Sequence, residues 1–241
     1  MKYSLAAVIL SALLLIQGCS TSKKTVSHEW NTSPDPLEGL NRSIYAFNNK
    51  ADKYILRPVA NGYHSVMPDP AEKSVYTFFS NLGEPLSIVN NLLQGKLDGA
   101  LNSTYRFTVN STVGLFGLFD VAKHLGVDRK REDFGQTLAV WGVKPGPYLM
   151  LPLVGPTNLR DGISNAISTT AYYPIDEITS SDSGSIGLTA LNVINARADL
   201  LQFDKTIDGQ LDPYLFIKST FENSRTDSIN DGLDNELDLD F

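Results

Sequence analysis

Few residues in this 241-residue chain have the chemistry that catalysis or metal binding needs. The sequence contains one cysteine and three histidines, and His28 lies in a polar N-terminal stretch, which leaves His64 and His124. No metalloprotease, dithiol, nucleophile-elbow, phosphate-loop or dinucleotide-binding motif occurs. Because there is no second cysteine, disulfides and cysteine-based metal sites are excluded. The sequence therefore predicts a protein that is not an enzyme and that has neither a metal site nor a cofactor.

The single cysteine, Cys19, stands where an N-terminal apolar run ends. Lys2 is followed by apolar residues 5–16, and Gly18 precedes the cysteine. The run is short for a transmembrane helix, and its flanks are those of a signal peptide. The pattern resembles a lipobox, in which the cysteine receives an S-diacylglycerol and an N-acyl chain after cleavage. The alternative is an ordinary secretory signal with an incidental cysteine.

Lipidation of Cys19 would make this residue a membrane anchor. Two lipid signals already give stable anchoring, so three acyl chains hold a protein on a bilayer essentially permanently. Ser20, rather than aspartate, follows the cysteine, which is typical of bacterial lipoproteins sorted to the outer membrane. We therefore expect a signal peptide over residues 1–18 and a lipidated N-terminus with a polar tether over residues 19–34.

Most of the formal charge of -7 lies in the last sixteen residues, which contain six acidic residues and no lysine or arginine. This composition predicts an acidic disordered tail over residues 226–241. The preceding body is nearly neutral, so the sequence gives no support for nucleic-acid binding.

The body of the chain has helical patterning. The segments DPLE at 35–38 and DPAE at 69–72 each predict an aspartate N-cap, proline at the first helical position and a capping box, and DPY at 212–214 repeats the first half. Gly83 and Pro85 should break the second of these helices. In the helix predicted over residues 97–113, Asn102, Arg106 and Asn110 form a polar line that must face water, a partner or a lumen. Further helices are expected after residues 157–161, near 188–201 and over 213–221, with a linker at 180–185.

Residues 142–156 combine four prolines and three glycines with strongly apolar side chains. This composition predicts an irregular apolar loop with no regular element. Such a loop is either a buried corner or a segment that touches lipid or a membrane-embedded partner, and the sequence leaves both open. The candidate contact residues are Pro147, Tyr148, Leu149, Leu151 and Leu153.

A series of motifs in this body resembles the MlaA/VacJ lipoprotein family. They occur in the family's order: DPLEGLNRSIYAFN (35–48), LRPVA (56–60), NLGEP (81–85), VNNLLQG (89–95), RFTVNSTVG (106–114), FGQTL (134–138), GPY (146–148), LP (151–152), GP (155–156), RD (160–161) and DPY (212–214). The match covers residues 35–225, which we take as the folded domain. Phe116 stands where a glycine is common in the family.

The resemblance implies an all-α fold, a single domain of amphipathic helices forming a ring around a central amphiphilic channel in the inner leaflet of a Gram-negative outer membrane. It further implies phospholipid as the ligand, with an outer-membrane porin trimer and a soluble periplasmic lipid carrier (MlaC-like) as partners. Misplaced phospholipid would leave the outer leaflet through the channel, preserving lipid asymmetry.

Five polar residues are candidates for the lumen of this channel, where arginines would offer donors to phosphate. They are Asn41, Arg42, Arg106, Asn110 and Arg160. The alternative for each is a structural role as a paired arginine or a cap. For the whole protein, the alternatives are a structural lipoprotein that only docks to porins and, less well supported, a lipid-modifying enzyme.

Overall fold

Helices dominate the architecture, as the sequence predicts. The computed structural model describes residues 34–231 except 173, 176, 177 and 180, and the described residues belong to one compact unit. The predictions for the signal peptide, Cys19, nearly all of the tether and residues 232–241 of the acidic tail lie outside the described residues. The all-α class is confirmed, with one small sheet, while the ring and its channel remain predictions.

The N-terminal half is a succession of helices. A π-helical turn, Asp52–Leu56, joins the first two, and the α-helices are α1 (Glu38–Ala51), α2 (Arg57–Val66), α3 (Asp69–Leu82), α4 (Glu84–Leu93), α5 (Leu97–Thr112), α6 (Val121–His124) and α7 (Phe134–Val140). The strongest helix pairing in this half is between α4 and α5. The predicted break at Gly83 and Pro85 is confirmed, because α3 ends at Leu82 and Pro85 occupies the first turn of α4.

The C-terminal half begins with the sheet. The elements are strands β1 (Tyr148–Leu151) and β2 (Gly155–Asn158), helices α8 (Leu159–Ala171) and α9 (Asp182–Asp199), a 3-10 turn (Leu200–Phe203), and helices α10 (Asp204–Asp208) and α11 (Pro213–Ile229). Helix α9 packs on α2 and α3, and α8 packs on α7. A small aromatic core of Tyr148, Met150 and Tyr214 joins β1 to α1 and α11.

Two of the three predicted aspartate caps are displaced. Asp212 is the N-cap of α11 and accepts from the backbone N–H of Leu215, as predicted. Asp35 instead lies three residues before α1, where its carboxylate accepts from the N–H of Leu37. Asp69 is the first residue of α3 rather than its cap. Asp35 does not take the N-cap position of α1, because its carboxylate also accepts a hydrogen bond from the buried side-chain amide of Asn41.

The prediction that residues 142–156 contain no regular element is wrong. Strands β1 and β2 form an antiparallel hairpin in which Tyr148 pairs with Asn158 and Leu151 pairs with Gly155. Pro156 has no backbone N–H to donate to the partner strand. It is tolerated because both strands of a two-stranded hairpin are edge strands, where proline is allowed. Leu153 (φ 61°) and Gly155 (φ 100°) take left-handed conformations that close the turn.

The chain makes a tight left-handed turn after α5. Leu115, Phe116 and Gly117 have φ values of 51°, 59° and 88°. A side chain at Gly117 would collide with Asn81, since an added Cβ would lie 2.7 Å from the Cβ of Asn81. The positive φ of Phe116 explains why glycine suits this position in the family, because a left-handed conformation is strained for a residue with a Cβ.

Two predicted boundaries near the C-terminus are corrected. Residues 182–185 are not a linker, because α9 starts at Asp182 with Ser181 as its N-cap. The start of the tail at residue 226 is also too early, since α11 continues to Ile229. The extension is held by Asp231, whose carboxylate lies 2.8 Å from the ammonium of Lys96.

Candidate functional site

Three helices carry their polar side chains inward and their apolar side chains outward. In α5, Arg106 and Asn110 are each 2% exposed, whereas Leu97 is 66% and Leu101 68% exposed. Helix α4 buries Glu84, Ser87, Asn90 and Asn91 and exposes Val89, Leu92 and Leu93, and α8 buries Arg160, Asp161 and Ser164 and exposes Leu159, Ile163 and Ile167. Among the described residues, buried polar side chains far outnumber buried apolar ones.

This distribution is the reverse of that in a water-soluble domain, whose helices turn their apolar stripe to the core. Contiguous apolar surface on this scale marks contact with a membrane or a protein partner. In the described part of the chain, no helix is both long and apolar enough to cross a bilayer. The outward apolar stripes of α4, α5 and α8 are the candidate surface for contact with a membrane or a protein partner.

Arg106 lies at the centre of a buried ionic network. Its guanidinium donates two bonds to the carboxylate of Asp120, at 2.9 and 3.0 Å, and a longer one, at 3.4 Å, to Glu84. It also donates to the backbone carbonyl of Val127. Arg129 adds a second cation, 3.0 Å from the same Glu84 oxygen. Two arginines thus face two carboxylates, and the cluster is neutral as a whole.

Asn110 completes this network from the next turn of α5. Its amide donates to Asp120 at 3.1 Å and its carbonyl oxygen accepts from the N–H of Ala122 at 3.0 Å. Burial raises the pKa of Asp120, but hydrogen bonds from Arg106, Asn110 and the N–H of Lys123 outweigh it and lower that pKa. The predicted polar line therefore faces the polar protein interior at Arg106 and Asn110, where the segment after α5 supplies its partners.

Asn41 ties α1 to the hairpin. Its side-chain amide donates to the carbonyl of Tyr148 and to the carboxylate of Asp35, both at 3.0 Å, and its oxygen accepts from the N–H of Met150 at 2.9 Å. Asn48, two turns along α1, repeats the arrangement with the carbonyl of Leu151. The side-chain amides of Asn41 and Asn48 thus bond the backbone of β1 on the side where a third strand would otherwise pair.

Arg42 lies beside Asn41 but is more accessible. It forms a two-pronged ion pair with Asp212, at 2.7 and 3.1 Å, and a second pair with Glu38. Its guanidinium lies 4.5 Å from the centre of the Tyr214 ring. Hydrogen bonding to Asp212 raises the pKa of Arg42 against the opposing effect of burial.

Arg160 belongs to a third cluster, at the start of α8. It donates to Asp161 at 2.9 Å, and Asp161 also accepts from Arg225 of α11 at 2.8 Å. Arg225 holds Asp133 as well, at 2.6 and 2.7 Å. Gly135 fits against this cluster because an added Cβ would lie 2.3 Å from the Asp161 carboxylate. The cluster joins three elements: α7, α8 and α11.

The five candidate lumen residues thus fall in three separate places and all have protein partners. This favours the structural alternative for the buried four, Asn41, Arg106, Asn110 and Arg160, while contact with lipid remains a prediction. Sequence reasoning missed Glu84 and Asp120, which bond Arg106. It also missed Arg225 and Asp133, which join the Arg160 cluster through Asp161. A signal was present, since an arginine on a largely apolar helix requires a carboxylate partner if it is buried.

The candidate contact residues of the hairpin separate by exposure. Leu153 at the turn is 67% exposed, and its neighbour Val154 is 68% exposed. Pro147, Leu149 and Leu151 are half-buried. Tyr148 is only 2% exposed and packs in the aromatic core, so it is not a surface contact residue. Strand alternation is the reason, because Tyr148 and Met150 point to the side of the hairpin that faces the core.

A cavity of about 400 Å³ opens between the base of the hairpin and α11. Tyr148, Asn158 and Arg160 line one side, and Phe221, Glu222 and Ile229 are among the residues that line the other.

A second cavity, of about 910 Å³, lies between α3, α9 and the following turn, and its lining includes His64, Glu72 and Lys205. No group of three or more His, Cys, Asp or Glu side chains within the described residues could hold a metal ion.

The Asp133–Arg225 pair makes stability depend on pH in the acid range. Burial raises the pKa of Asp133, but hydrogen bonds and charge from Arg225, with bonds from Gln136, lower it to about 2. The unfolded-state value is about 3.9. A folded pKa below the unfolded one gives stability that is complete above about pH 5 and is lost progressively as the pH falls towards 2.

We therefore expect Asp133→Asn to flatten the acid limb of the stability curve. The measurement is the free energy of unfolding in detergent between pH 5 and pH 2 for wild type and variant. An identical slope for the two proteins would contradict the role of this pair.

The geometry can be compared with known proteins. The family model described as MlaA lipoprotein matches residues 33–228. This chain belongs to the MlaA lipoprotein family. The match contains every helix and strand of the described structure except the last residue of α11. MlaA is a family of lipid-transport components rather than an enzyme family.

Relatives of this chain are found in several bacteria. A protein of Rickettsia felis is 41% identical over 196 residues, which are 81% of this chain and 78% of that one. The intermembrane phospholipid transport system lipoprotein MlaA of Escherichia coli K12 is 35% identical over 225 residues, covering 92% and 86% of the two chains. A solved structure from work on the structural basis for maintenance of bacterial outer membrane lipid asymmetry aligns with a TM-score of 0.72 and 36% identity, covering 82% of this chain and all of the other.

Proposed function

We propose that this protein is an outer-membrane lipoprotein that removes misplaced phospholipids from the outer leaflet and passes them to a soluble periplasmic carrier. The observation that carries the proposal is the reversed polarity of α4, α5 and α8, which bury Glu84, Arg106 and Arg160 and expose leucine, isoleucine and valine. A relative 35% identical to this chain is named as a lipoprotein of an intermembrane phospholipid transport system.

The physical mechanism follows from the cost of moving a headgroup through hydrocarbon. A charged headgroup pays several kcal/mol to cross the acyl region unaided. A domain with apolar stripes against the acyl chains and polar groups inside lowers that barrier without consuming energy. Direction must then come from the partners, which remove phospholipid on the periplasmic side.

The proposal extends to anchoring and partners. Cys19 would carry the lipid anchor that holds the domain on the inner leaflet, facing the periplasm. The exposed hairpin turn at Leu153 and Val154 is a candidate contact for lipid or for a porin trimer. The soluble carrier would receive the phospholipid from the periplasmic face.

The test is a deletion strain of the bacterium that carries the gene. Outer-leaflet phosphatidylethanolamine is measured in intact cells with an amine reagent that does not cross membranes. We expect the labelled fraction to rise several-fold on deletion and to return to the wild-type level when the gene is restored. An unchanged labelled fraction would contradict lipid transport and favour a structural lipoprotein that only docks to porins. Production of lyso-phospholipid by the purified protein would indicate a lipid-modifying enzyme instead.

A further inference from the structure

The cavity between the hairpin and α11 has a mixed chemical character. Phe221 and Ile229 provide apolar walls, and Tyr148, Arg160 and Glu222 provide polar ones. Its volume of about 400 Å³ lies at the lower end of the range of about 300–1,000 Å³ typical of small-molecule sites. It is therefore the size of a headgroup with its glycerol rather than of a lipid with two acyl chains.

The hydroxyl of Tyr148 is a buried polar group without a hydrogen-bond partner among the described residues. Leaving such a group unpaired costs free energy, so a buried hydroxyl usually has a partner. Burial, together with the charges of Asp35 and Glu222, raises the pKa of Tyr148. The hydroxyl thus keeps its proton and can donate it in a hydrogen bond. The neighbouring Tyr214 differs, since its hydroxyl donates to Asp35.

Arg160 has donor capacity that its protein partners do not use. Its Nε–H bond to Asp161 is 2.9 Å long, but the bonds from its two terminal nitrogens, to Asp161 and to the carbonyl of Val143, are both 3.3 Å. A guanidinium has five N–H donors, so two remain beyond these three bonds. Arg225, which also lines the cavity, makes bonds of 2.6–3.1 Å with Asp133 and Asp161 through all three of its nitrogens.

We infer that this cavity binds the zwitterionic headgroup of a glycerophospholipid of the phosphoethanolamine type. The phosphate oxygens accept hydrogen bonds from the Tyr148 hydroxyl and the Arg160 guanidinium, and the ammonium lies towards Glu222. The glycerol carbons contact Phe221 and Ile229, and the acyl chains stay outside. This inference rests on the proposed function and names a headgroup site for the phospholipid that the protein would handle.

The test is equilibrium binding to the full-length protein in detergent, by calorimetry. The probes are dihexanoyl phosphatidylethanolamine, dihexanoyl phosphatidylglycerol and inorganic phosphate. Tyr148→Phe removes only the unpaired hydroxyl and keeps the ring in the aromatic core. We expect this variant to bind the ethanolamine lipid about tenfold more weakly, the factor typical of one hydrogen bond to a charged acceptor. Its unfolding midpoint should be unchanged or higher, because a buried unpaired hydroxyl is lost.

Two further variants serve as controls. Tyr214→Phe removes a hydroxyl that has a protein partner, so it should lower the unfolding midpoint and leave the affinity of the folded protein unchanged. Thr226→Trp places a large ring over the cavity from an exposed position, and it should abolish binding without changing the fold. This variant keeps the test decisive if Tyr148→Phe were to fold poorly.

Three results would overturn the inference. If both Tyr148→Phe and Thr226→Trp bound the ethanolamine lipid with wild-type affinity, the cavity would not be the binding site. Inorganic phosphate binding as tightly as the lipid would indicate a simple anion site, and equal affinity for phosphatidylglycerol would remove the ethanolamine assignment. The proposed function is tested separately in the deletion strain. Clearance of outer-leaflet lipid by a Tyr148→Phe protein with unaltered affinity would reject only this site.

Discussion

Replacing Arg106 with alanine should lower the free energy of unfolding by about 3–5 kcal/mol, the range expected when one partner of a buried ion pair is removed. The arginine is 2% exposed and bonds both Glu84 and Asp120. Without it, Glu84 retains only Arg129 and Asp120 only the amide of Asn110 and the backbone of Lys123. The measurement is chemical denaturation in detergent micelles.

The matched control for this prediction is Arg42→Ala. Arg42 also holds two carboxylates, those of Glu38 and Asp212, but its side chain is 38% exposed. Exposed ion pairs contribute about 0–1 kcal/mol, so the loss should be about 1 kcal/mol. If both variants lost the same small amount, Arg106 would not act as a buried structural residue. A stable Arg106→Ala protein that fails to clear outer-leaflet phospholipid would instead support the lumen role.

The second large effect should come from placing carboxylates on the outward stripe of α5. Leu97→Asp with Leu101→Asp changes two side chains that are 66% and 68% exposed. In water or detergent the fold should tolerate them, because neither leucine fills the core. Aspartate in the hydrocarbon region costs about 2.5–3.5 kcal/mol. A chain that starts at Ser20, and so lacks any acyl anchor, should therefore bind vesicles at least tenfold more weakly.

The readout is flotation of the protein with vesicles of phosphatidylethanolamine and phosphatidylglycerol. Tyr76→Asp is the matched control, since Tyr76 is 52% exposed but lines the second cavity with Lys73 and Lys205. We expect this control to float like the wild type. Equal flotation of the double variant would mean that the stripe of α5 does not contact lipid, and a porin surface would become the better candidate.

Local sequence signals predicted the parts of the fold that depend on neighbouring residues. The break at Gly83 and Pro85 and the cap at Asp212 were correct because each depends on a few consecutive residues. The hairpin was missed because its stability depends on Asn41 and Asn48, about a hundred residues earlier in the chain. The composition of residues 142–156 shows their prolines, but it does not show that side-chain amides of α1 bond this segment.

The interactions around the candidate site residues could not be predicted for the same reason, because they join residues far apart in the sequence. Arg225 meets Asp133 across 92 positions of sequence and Asp161 across 64. Periodicity placed Arg106 and Asn110 on one face of a helix but gave no information on what that face would meet. Tyr148 is a candidate contact residue by sequence, which leaves a buried corner equally open, and strand alternation directs its ring into the core.

The sequence by itself determined the helical class, the order of most elements and, through its motifs, membership of the MlaA family. These are properties of local patterns and of their order along the chain. Only the tertiary structure decided that the apolar stripes of α4, α5 and α8 point outward, and that the buried arginines are paired. Periodicity defines two faces of a helix but not which one is buried, since that depends on the carboxylates and amides that other segments bring to it.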